Sequence, residues 1–148
     1  MSAERVYFRL DSAADLILYP DDDVQVLDWH TDLPMIQRFY RHWLKDGDED
    51  VQPPSEAERE VGDPIALVRG GDILSFAILF YFKDGEIEIG AVATLPSEQN
   101  RGFCRRVISE AARRILDLGK CATLTTGAYN LAMRSAARSI GMQEIAKD

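Results

Sequence analysis

A short polar loop with a single glycine has the clearest chemical potential in this sequence, because it separates a predicted strand from a predicted helix. The loop consists of Gln99, Asn100, Arg101, Gly102, Phe103, Cys104 and Arg105. The first N–H groups of a helix are unpaired and lie at the positive end of its dipole, and Gly102 would let the backbone approach an anion closely. The loop has neither the Gly-Lys-Ser/Thr of a Walker loop nor the three-glycine spacing of a dinucleotide fingerprint. It therefore predicts either a phosphate-binding loop or an ordinary strand-to-helix turn.

Two glutamates precede this loop on one predicted strand. Glu86 and Glu88 alternate with Ile87 and Ile89, so both carboxylates face one side of the strand and both isoleucines face the other. Carboxylates placed in this way are candidates for a general base. The alternative is a solvated pair on the polar face of a half-covered sheet.

The charge of the chain limits the classes of partner. The 148 residues carry a formal net charge of −8, which argues against nucleic acid as the main partner because phosphate binding requires a positive field. Acidic side chains concentrate at residues 21–23, 46–50 and 56–60, while five arginines crowd residues 101–114. A basic patch on an acidic protein fits a small polyanionic ligand beside a cationic substrate, and solvated faces are the alternative for these charges.

The few cysteines and histidines and the hydropathy of the chain argue against a disulfide-rich, zinc-binding or membrane protein. Cys104 and Cys121 are too few for a disulfide framework, and with His30 and His42 they form no cluster with zinc-ligand spacing, so no metal site is expected. The N-terminus lacks a basic region followed by an apolar stretch, and no run reaches the ~20 apolar residues that span a bilayer. We therefore expect a cytoplasmic protein without membrane contact, folded as one domain over residues 1–148.

Hydrophobic patterning places these groups within an α/β fold. In the N-terminal third, apolar runs predict strands at residues 6–10, 16–19 and 24–29. Cap and breaker residues predict one helix from Thr31 or Asp32 to Gly47, and a short second helix from Ser55 to Gly62.

The remaining two thirds of the chain begins with three extended segments. Residues 65–69, 73–82 and 86–95 are separated by glycine turns and predict an antiparallel meander. After the polar loop, the pattern predicts a helix that stops near Gly119, a strand at residues 121–125, and a helix that opens at Asn130 and closes at Gly141.

Residues 86–105 resemble the signature of the GNAT superfamily of N-acetyltransferases. In that signature a strand ends in small residues and Val or Thr, a proline often follows, and then come Gln or Arg, two residues, Gly, one residue, and Gly or Ala. Gln99, Gly102 and Cys104 occupy the last three of these positions. A second signature, an Asn that opens the last helix and a Gly plus a large apolar residue that closes it, is matched by Asn130 and Gly141-Met142. The resemblance covers residues 64–142.

The resemblance implies a mixed, mostly antiparallel twisted sheet with helices on both faces, splayed near residues 92–94 to admit acetyl-CoA as co-substrate. The backbone at Val92 and Thr94 would pair with the pantetheine arm as an added strand, with Asn130 near that arm. The N–H groups of the polar loop would cradle the pyrophosphate, and Arg101 or Arg105 would bind phosphate oxygens.

The implied reaction is acetyl transfer to an amine, which needs a neutral nitrogen and hence a general base. Glu88 stands where histone-type members keep their catalytic glutamate. Many members protonate the leaving thiolate with a Tyr four residues before the closing Gly, but this sequence has Ala137 there. Water or another hydroxyl is then predicted for that role, and Tyr129 is the nearest in sequence. Cys104, which replaces a small Gly or Ala, is interpreted as an apolar filler.

The resemblance thus implies an N-acetyltransferase that acts on an amine of a small molecule or peptide. The alanine at position 137 also allows a catalytically silent acyl-CoA-binding module or sensor, and an interaction domain without cofactor is a further alternative. The residues do not distinguish a polyamine, an amino acid, an antibiotic or a protein amine as acceptor.

The C-terminal segment is short for the family, in which two strands follow the closing Gly. Only one strand fits at residues 143–146, so we predict a truncated C-terminal hairpin and an uncovered sheet edge. The runs at 6–10 and 16–19 could cover that edge, supplied by the same chain or by a symmetric partner, which favours a homodimer.

Overall fold

The computed structural model describes residues 4–46 and 52–146, and these ranges contain seven strands and four α-helices. The strands are β1 (Arg5–Leu10), β2 (Val24–Val26), β3 (Gly62–Arg69), β4 (Asp72–Lys83), β5 (Glu86–Thr94), β6 (Cys121–Gly127) and β7 (Gln143–Ile145). The helices are α1 (Leu33–Asp46), α2 (Glu56–Glu60), α3 (Phe103–Asp117) and α4 (Leu131–Ser139). The predicted meander and the helices and strand after it are confirmed, while Gly47, the predicted end of the first helix, lies outside the described residues.

A seven-stranded sheet in the order β2-β3-β4-β5-β6-β1-β7 forms the centre of the molecule. Neighbouring strands run antiparallel except β5 and β6, which are parallel. This confirms the predicted α/β architecture with a mixed, mostly antiparallel sheet.

Side-chain caps mark the starts of two helices. Ser55 and Glu58 form the predicted capping box at α2, with hydrogen bonds of 3.1 and 3.0 Å. At α4, the N–H of Met133 donates to the Asn130 side chain at 3.1 Å. Because Asn130 follows β6 closely, its cap fixes where α4 leaves the sheet.

The helices cover the two sheet faces unequally. On one face lie α3 and α4, and Val107, Ile108 and Ile115 of α3 are fully buried there. On the other face α1 packs against β4 through Phe39 and Tyr40. The part of this second face near β5, β6 and β1 forms an open cleft instead.

The prediction of a strand at residues 16–19 was wrong. This segment crosses the helices, where the N–H of Ile17 donates to the carbonyl of Ile140 at 2.9 Å and the N–H of Tyr19 donates to Ser109 Oγ at 3.0 Å. Its backbone therefore pairs with a helix end and a side chain rather than with another strand. The strand predicted at 24–29 is also shorter and ends at Val26.

The first strand lies inside the sheet rather than at its edge. Residues of β1 pair with β6 on one side and with β7 on the other. Residues 5–10 of the same chain thus pair with β6, and the short β7 is the edge strand of the described sheet. The homodimer stays a prediction.

Candidate active site

The strands β5 and β6 separate in the middle of the sheet. Their pairing comprises Glu86 with Cys121, Ile87 with Ala122 and Glu88 with Thr123. Beyond Glu88, β5 bends at Ala91, whose φ is 51°, and its pairing with β4 shifts register. Residues 92–94 therefore present an edge of β5 that is unpaired on the β6 side, where the sequence predicted the splay.

A cleft of about 620 Å³, here called the α3 cleft, opens beside that edge. It contains nine of the ten predicted cofactor-binding residues, namely Val92, Thr94, Gln99, Asn100, Gly102, Phe103, Cys104, Arg105 and Asn130. The tenth, Arg101, does not line the cleft, and its guanidinium lies 3.3 Å from the Glu98 carboxylate. Apart from Arg101, the cofactor-binding candidates between Val92 and Asn130 thus line one cavity.

Six further residues of the α3 cleft were not predicted from the sequence. Helix α4 contributes Ala132, Met133, Ser135 and Ala136. Strand β5 contributes Ala93, and the segment between β5 and α3 contributes Glu98. Helical spacing from Asn130 could have indicated Met133 and Ala136, since residues three apart share a helix face.

The N-terminus of α3 points into the α3 cleft without a side-chain cap. Its N-cap is Gly102 in the left-handed region, with φ of 80°, and Asn100 has φ of 66°. The first backbone bond of the helix runs from the N–H of Arg106 to the carbonyl of Gly102 at 3.3 Å. The three preceding N–H groups lack intrahelical acceptors, as at any helix start, so they are available to an anion.

Most of the arginines near α3 are neutralised by carboxylates. Arg113 and Arg114 both pair with Glu110. Arg106 lies 2.9 Å from the largely buried carboxylate of Asp21. The predicted basic patch is therefore mostly a set of ion pairs.

Asp21 joins two arginines beside Phe103. Its Oδ2 lies 2.9 Å from both Arg69 and Arg106, and both guanidiniums stack on the Phe103 ring at 5.3 and 5.4 Å. Burial raises the pKa of the Asp21 carboxyl, but hydrogen bonds from the Asp23 N–H and Arg106, with the charge of Arg69, hold this pKa below its ordinary value. The cluster thus remains charged and fixes the first residue of α3.

Among the described residues, Arg105 is the α3 arginine without an ion pair. Its guanidinium lies over the Tyr19 ring at 5.0 Å, a cation–π contact. It also lies 3.2 Å from the position that a Cβ on Gly102 would take. Arg105 is therefore a free cation at the α3 N-terminus.

The thiol of Cys104 also lines the α3 cleft. Burial raises its pKa to about 11, so the group is an uncharged thiol near neutral pH. This supports the interpretation of Cys104 as a filler rather than a nucleophile.

Glu88 faces a second cleft of about 440 Å³ on the opposite side of the sheet, here called the sheet cleft. The hydroxyl of Thr125 donates to Glu88 Oε1 at 3.1 Å. Glu86 lies in the same cleft but is paired with Arg9 at 3.2 Å and Lys83 at 3.9 Å. Sequence reasoning missed Thr125, although its alternation with Thr123 on β6 places both on one face.

The two clefts lie next to the same gap in the sheet. Val92 and Thr94 line the α3 cleft, while Glu88, at the last β5–β6 pair, lines the sheet cleft. A group bound along the free edge of β5 would therefore end near Glu88.

Tyr129 lies outside both clefts. Its side chain is 79% exposed, and its ring packs over Gly127. The neighbouring Asn130 does line the α3 cleft, but its side-chain oxygen is engaged in capping α4.

Within residues 4–46 and 52–146, no three His, Cys, Asp or Glu side chains are grouped to hold a metal ion. No helix in the described part of the chain combines the length and apolar character needed to cross a bilayer.

Known structures share this fold. A GNAT-family protein from Novosphingobium aromaticivorans superposes with a TM-score of 0.76 at 18% identity, over 97% of this chain and 60% of its own length. An acetyltransferase from Bacillus subtilis, solved in complex with CoA, gives a TM-score of 0.65 at 18% identity, with 83% and 77% coverage. A GNAT acetyltransferase from Elizabethkingia anophelis with bound acetyl-CoA gives 0.62 at 12% identity, with 80% and 75% coverage.

Sequence comparison identifies the family. The comparison with curated proteins gave no match. The model of the FR47-like protein family matches residues 71–148, just over half of the chain and including both signatures. This chain is therefore a member of the FR47-like family, with the fold of the GNAT acetyltransferases.

Proposed function

We propose that residues 1–148 form one acyl-CoA-binding domain that acts as an acetyl-CoA-dependent N-acetyltransferase. One observation carries the proposal. The uncapped N-terminus of α3 and the free edge of β5 line one cleft, and the strand that supplies this edge places Glu88 in another. An anion site, an open strand edge and a carboxylate therefore follow one another along a single path.

The residues of the α3 cleft fit coenzyme A. Pyrophosphate oxygens would accept from the free N–H groups that follow Gly102, and Arg105 would add a charge-assisted hydrogen bond. The pantetheine arm would pair with the backbone at Val92 and Thr94 by strand addition. Asn130 would contact the arm, and Gln99, Asn100, Phe103 and Cys104 would shape the loop. Arg101 would first have to leave Glu98, at little cost for an exposed pair.

The CoA-bound state of the Bacillus subtilis relative and the acetyl-CoA-bound state of the Elizabethkingia relative support this choice of ligand. Acetyl-CoA would serve here as co-substrate and supply an activated acetyl group as a thioester.

Glu88 would act as the general base from the sheet cleft. It accepts a proton from the substrate ammonium, directly or through a water, so that the nitrogen lone pair becomes available. The nitrogen then forms a bond with the acetyl carbonyl carbon and gives up its second proton to solvent. The carbon–sulfur bond breaks, and the sulfur takes up a proton from water or from Tyr129. The products are the amide and free CoA thiol. With the Cys104 thiol protonated near neutral pH, direct transfer without an acyl-enzyme is favoured.

The proton for the leaving sulfur has two candidate donors. The exposure of Tyr129 favours water, and Tyr129→Phe tests the choice. The second candidate function is a silent acyl-CoA-binding module or sensor. It is favoured by the exposure of Tyr129 and by Ala137, because neither residue then supplies a proton to the leaving sulfur.

Two measurements test the proposal. Acetyl-CoA at ~100 times its dissociation constant should stabilise the fold by ~2.7 kcal/mol, measured as a rise in melting temperature. Release of CoA thiol should then depend on added amine. Stabilisation without release for any amine would indicate the silent module, and no stabilisation at millimolar acetyl-CoA would indicate an interaction domain without cofactor.

A further inference from the structure

We propose that the sheet cleft selects a monoamine with an aromatic body and discriminates against polyamines. This inference rests on the proposed function, because it assigns the amine acceptor to the cleft that contains Glu88. It adds the class of amine, which neither the family nor the relatives specify.

The charges of the sheet cleft provide the first argument. Its lining contains two cations, Arg9 and Lys83, and two carboxylates, Glu86 and Glu88. Both cations pair with Glu86, and Arg9 also pairs with Asp11. Within the described residues Glu88 forms no ion pair and accepts only the hydroxyl of Thr125. The cleft therefore has one uncompensated carboxylate, which matches one ammonium group and leaves no partner for a second.

The aromatic wall of the cleft provides the second argument. Phe80 and Phe82 stack with ring centroids 5.0 Å apart and planes 10° apart. Phe80 is 5% exposed, whereas Phe82 is 60% exposed, so one side of the stack is buried and the outer ring is open. An aromatic ligand can extend such a stack, and its ammonium can also approach a ring face.

Gly90 brings the carboxylate and the aromatic wall together. A Cβ on Gly90 would lie 2.8 Å from Phe80 Cε2 and 3.9 Å from Glu88 Oε2. The Phe80 ring therefore packs over the bare β5 backbone right beside the carboxylate. When the ammonium group of a ligand binds Glu88, the carbon chain of that ligand would lie along the aromatic wall. A short aralkyl amine has this arrangement of ammonium, chain and ring. The cleft volume of about 440 Å³ suits a ligand of that size.

Equilibrium binding tests the inference without relying on turnover. The protein is saturated with CoA, and phenethylamine, butylamine, 1,4-diaminobutane and spermidine are titrated by calorimetry. Phenethylamine should bind about tenfold more tightly than butylamine, because the ring adds aromatic contact, and more tightly than either polyamine. Tighter binding of spermidine, or no binding of phenethylamine, would overturn the inference.

Phe82→Ala should lower the affinity for phenethylamine by about fivefold and leave butylamine unchanged. Tyr81→Ala is the matched control, because Tyr81 is a similarly exposed aromatic on β4 that does not line the cleft and donates to Asp63 at 3.0 Å. Equal losses in both variants, or for both amines, would contradict the aromatic subsite.

Arg9→Gln tests the charge argument by making a second carboxylate available in the sheet cleft. Removal of Arg9 leaves Glu86 with only the 3.9 Å contact to Lys83, so a second carboxylate becomes available. The affinity of 1,4-diaminobutane relative to phenethylamine should rise by about fivefold, as expected for a partly exposed ion pair. An unchanged ratio would contradict the assignment of charges.

The same amines in the thiol-release assay separate this inference from the proposed function. Binding of phenethylamine without CoA release would overturn the enzymatic proposal and leave the amine site standing. CoA release that is fastest with spermidine would support the enzyme and overturn the inferred acceptor class.

Discussion

Thr125 on β6 donates a hydrogen bond of 3.1 Å to Glu88 on β5, just past the last residue pair of these two strands. The bond holds Oε1 of the carboxylate, while Oε2 lies toward Gly90. Because β5 and β6 separate beyond this point, the contact fixes a carboxylate at the edge of the gap. The first prediction depends on this placement.

Glu88→Gln should lower kcat by ~10²-fold or more, the usual contribution of a general base. The amide has nearly the same shape, so acetyl-CoA should still raise the melting temperature as in the unchanged protein. The initial rate of thiol release at saturating amine and acetyl-CoA measures the effect.

The matched control is Glu86→Gln, which removes a carboxylate from the same cleft that is already paired with Arg9. A larger loss in this variant than in Glu88→Gln would transfer the role to Glu86.

Gly102→Asp should abolish stabilisation by acetyl-CoA, because it places a carboxylate at the N-terminus of α3 and strains a residue with φ of 80°. Gly119→Asp controls for the strain, since Gly119 has φ of 77° with no neighbouring atom within 4 Å of its would-be Cβ. Equal acetyl-CoA binding by both variants in a thermal-shift titration would place the phosphate site elsewhere.

Cys104 should react slowly with iodoacetamide near neutral pH. Burial raises the pKa of its thiol to about 11, so the thiolate is scarce below that pH, and the rate should rise about tenfold per pH unit. Mass spectrometry of the modified peptide measures this rate, and acetyl-CoA should slow it further. Cys104→Ala should keep kcat within about threefold, whereas a loss comparable to that of Glu88→Gln would indicate a covalent intermediate.

Tyr129→Phe should change kcat by less than about twofold if water protonates the leaving sulfur, since a positioned acid is worth ~10²-fold or more. The expectation follows from the 79% exposure of Tyr129 and its position outside both clefts. A large loss of kcat with unchanged acetyl-CoA binding would restore Tyr129 as the proton donor.

Gly141→Ala should destabilise the fold by about 2–4 kcal/mol, because φ is 98° and the new Cβ would collide with the carbonyl of Asp15. The collision separates the N-terminal segment from the end of α4, where Ile17 donates to Ile140. Gly70→Ala is the control, with φ of 59° and open space around it, and should cost about 1 kcal/mol. Urea denaturation compares the two.

The sequence by itself determined the local elements and the approximate position of the binding loop. Alternation of Glu86 and Glu88 with isoleucines predicted β5, and the Asn130 cap predicted α4, because these signals depend on neighbours a few residues away. The GNAT resemblance then identified ten cofactor-binding candidates, and nine of them line a single cleft in the structure.

Only the tertiary structure decided which charges remain available. Arg106 pairs with Asp21, a residue 85 positions away, while Arg105 is left at the cleft. The sequence shows both simply as arginines beside Gly102, because an ion pair depends on where the chain returns in space. The position of Tyr129 outside the clefts has the same cause, since the direction of β6 and the packing on Gly127 orient it.

The order of the strands in the sheet was likewise decided by the tertiary structure. Residues 5–10 read as a strand in isolation, but their insertion between β6 and β7 depends on Phe8 and Leu10 reaching the core under α3 and α4. Residues 16–19 have a similar apolar pattern, yet they lie across the helices because Ile140 and Ser109 provide their backbone partners. Apolar patterning predicts burial in both segments, and only the available backbone partners decide whether the buried segment joins the sheet.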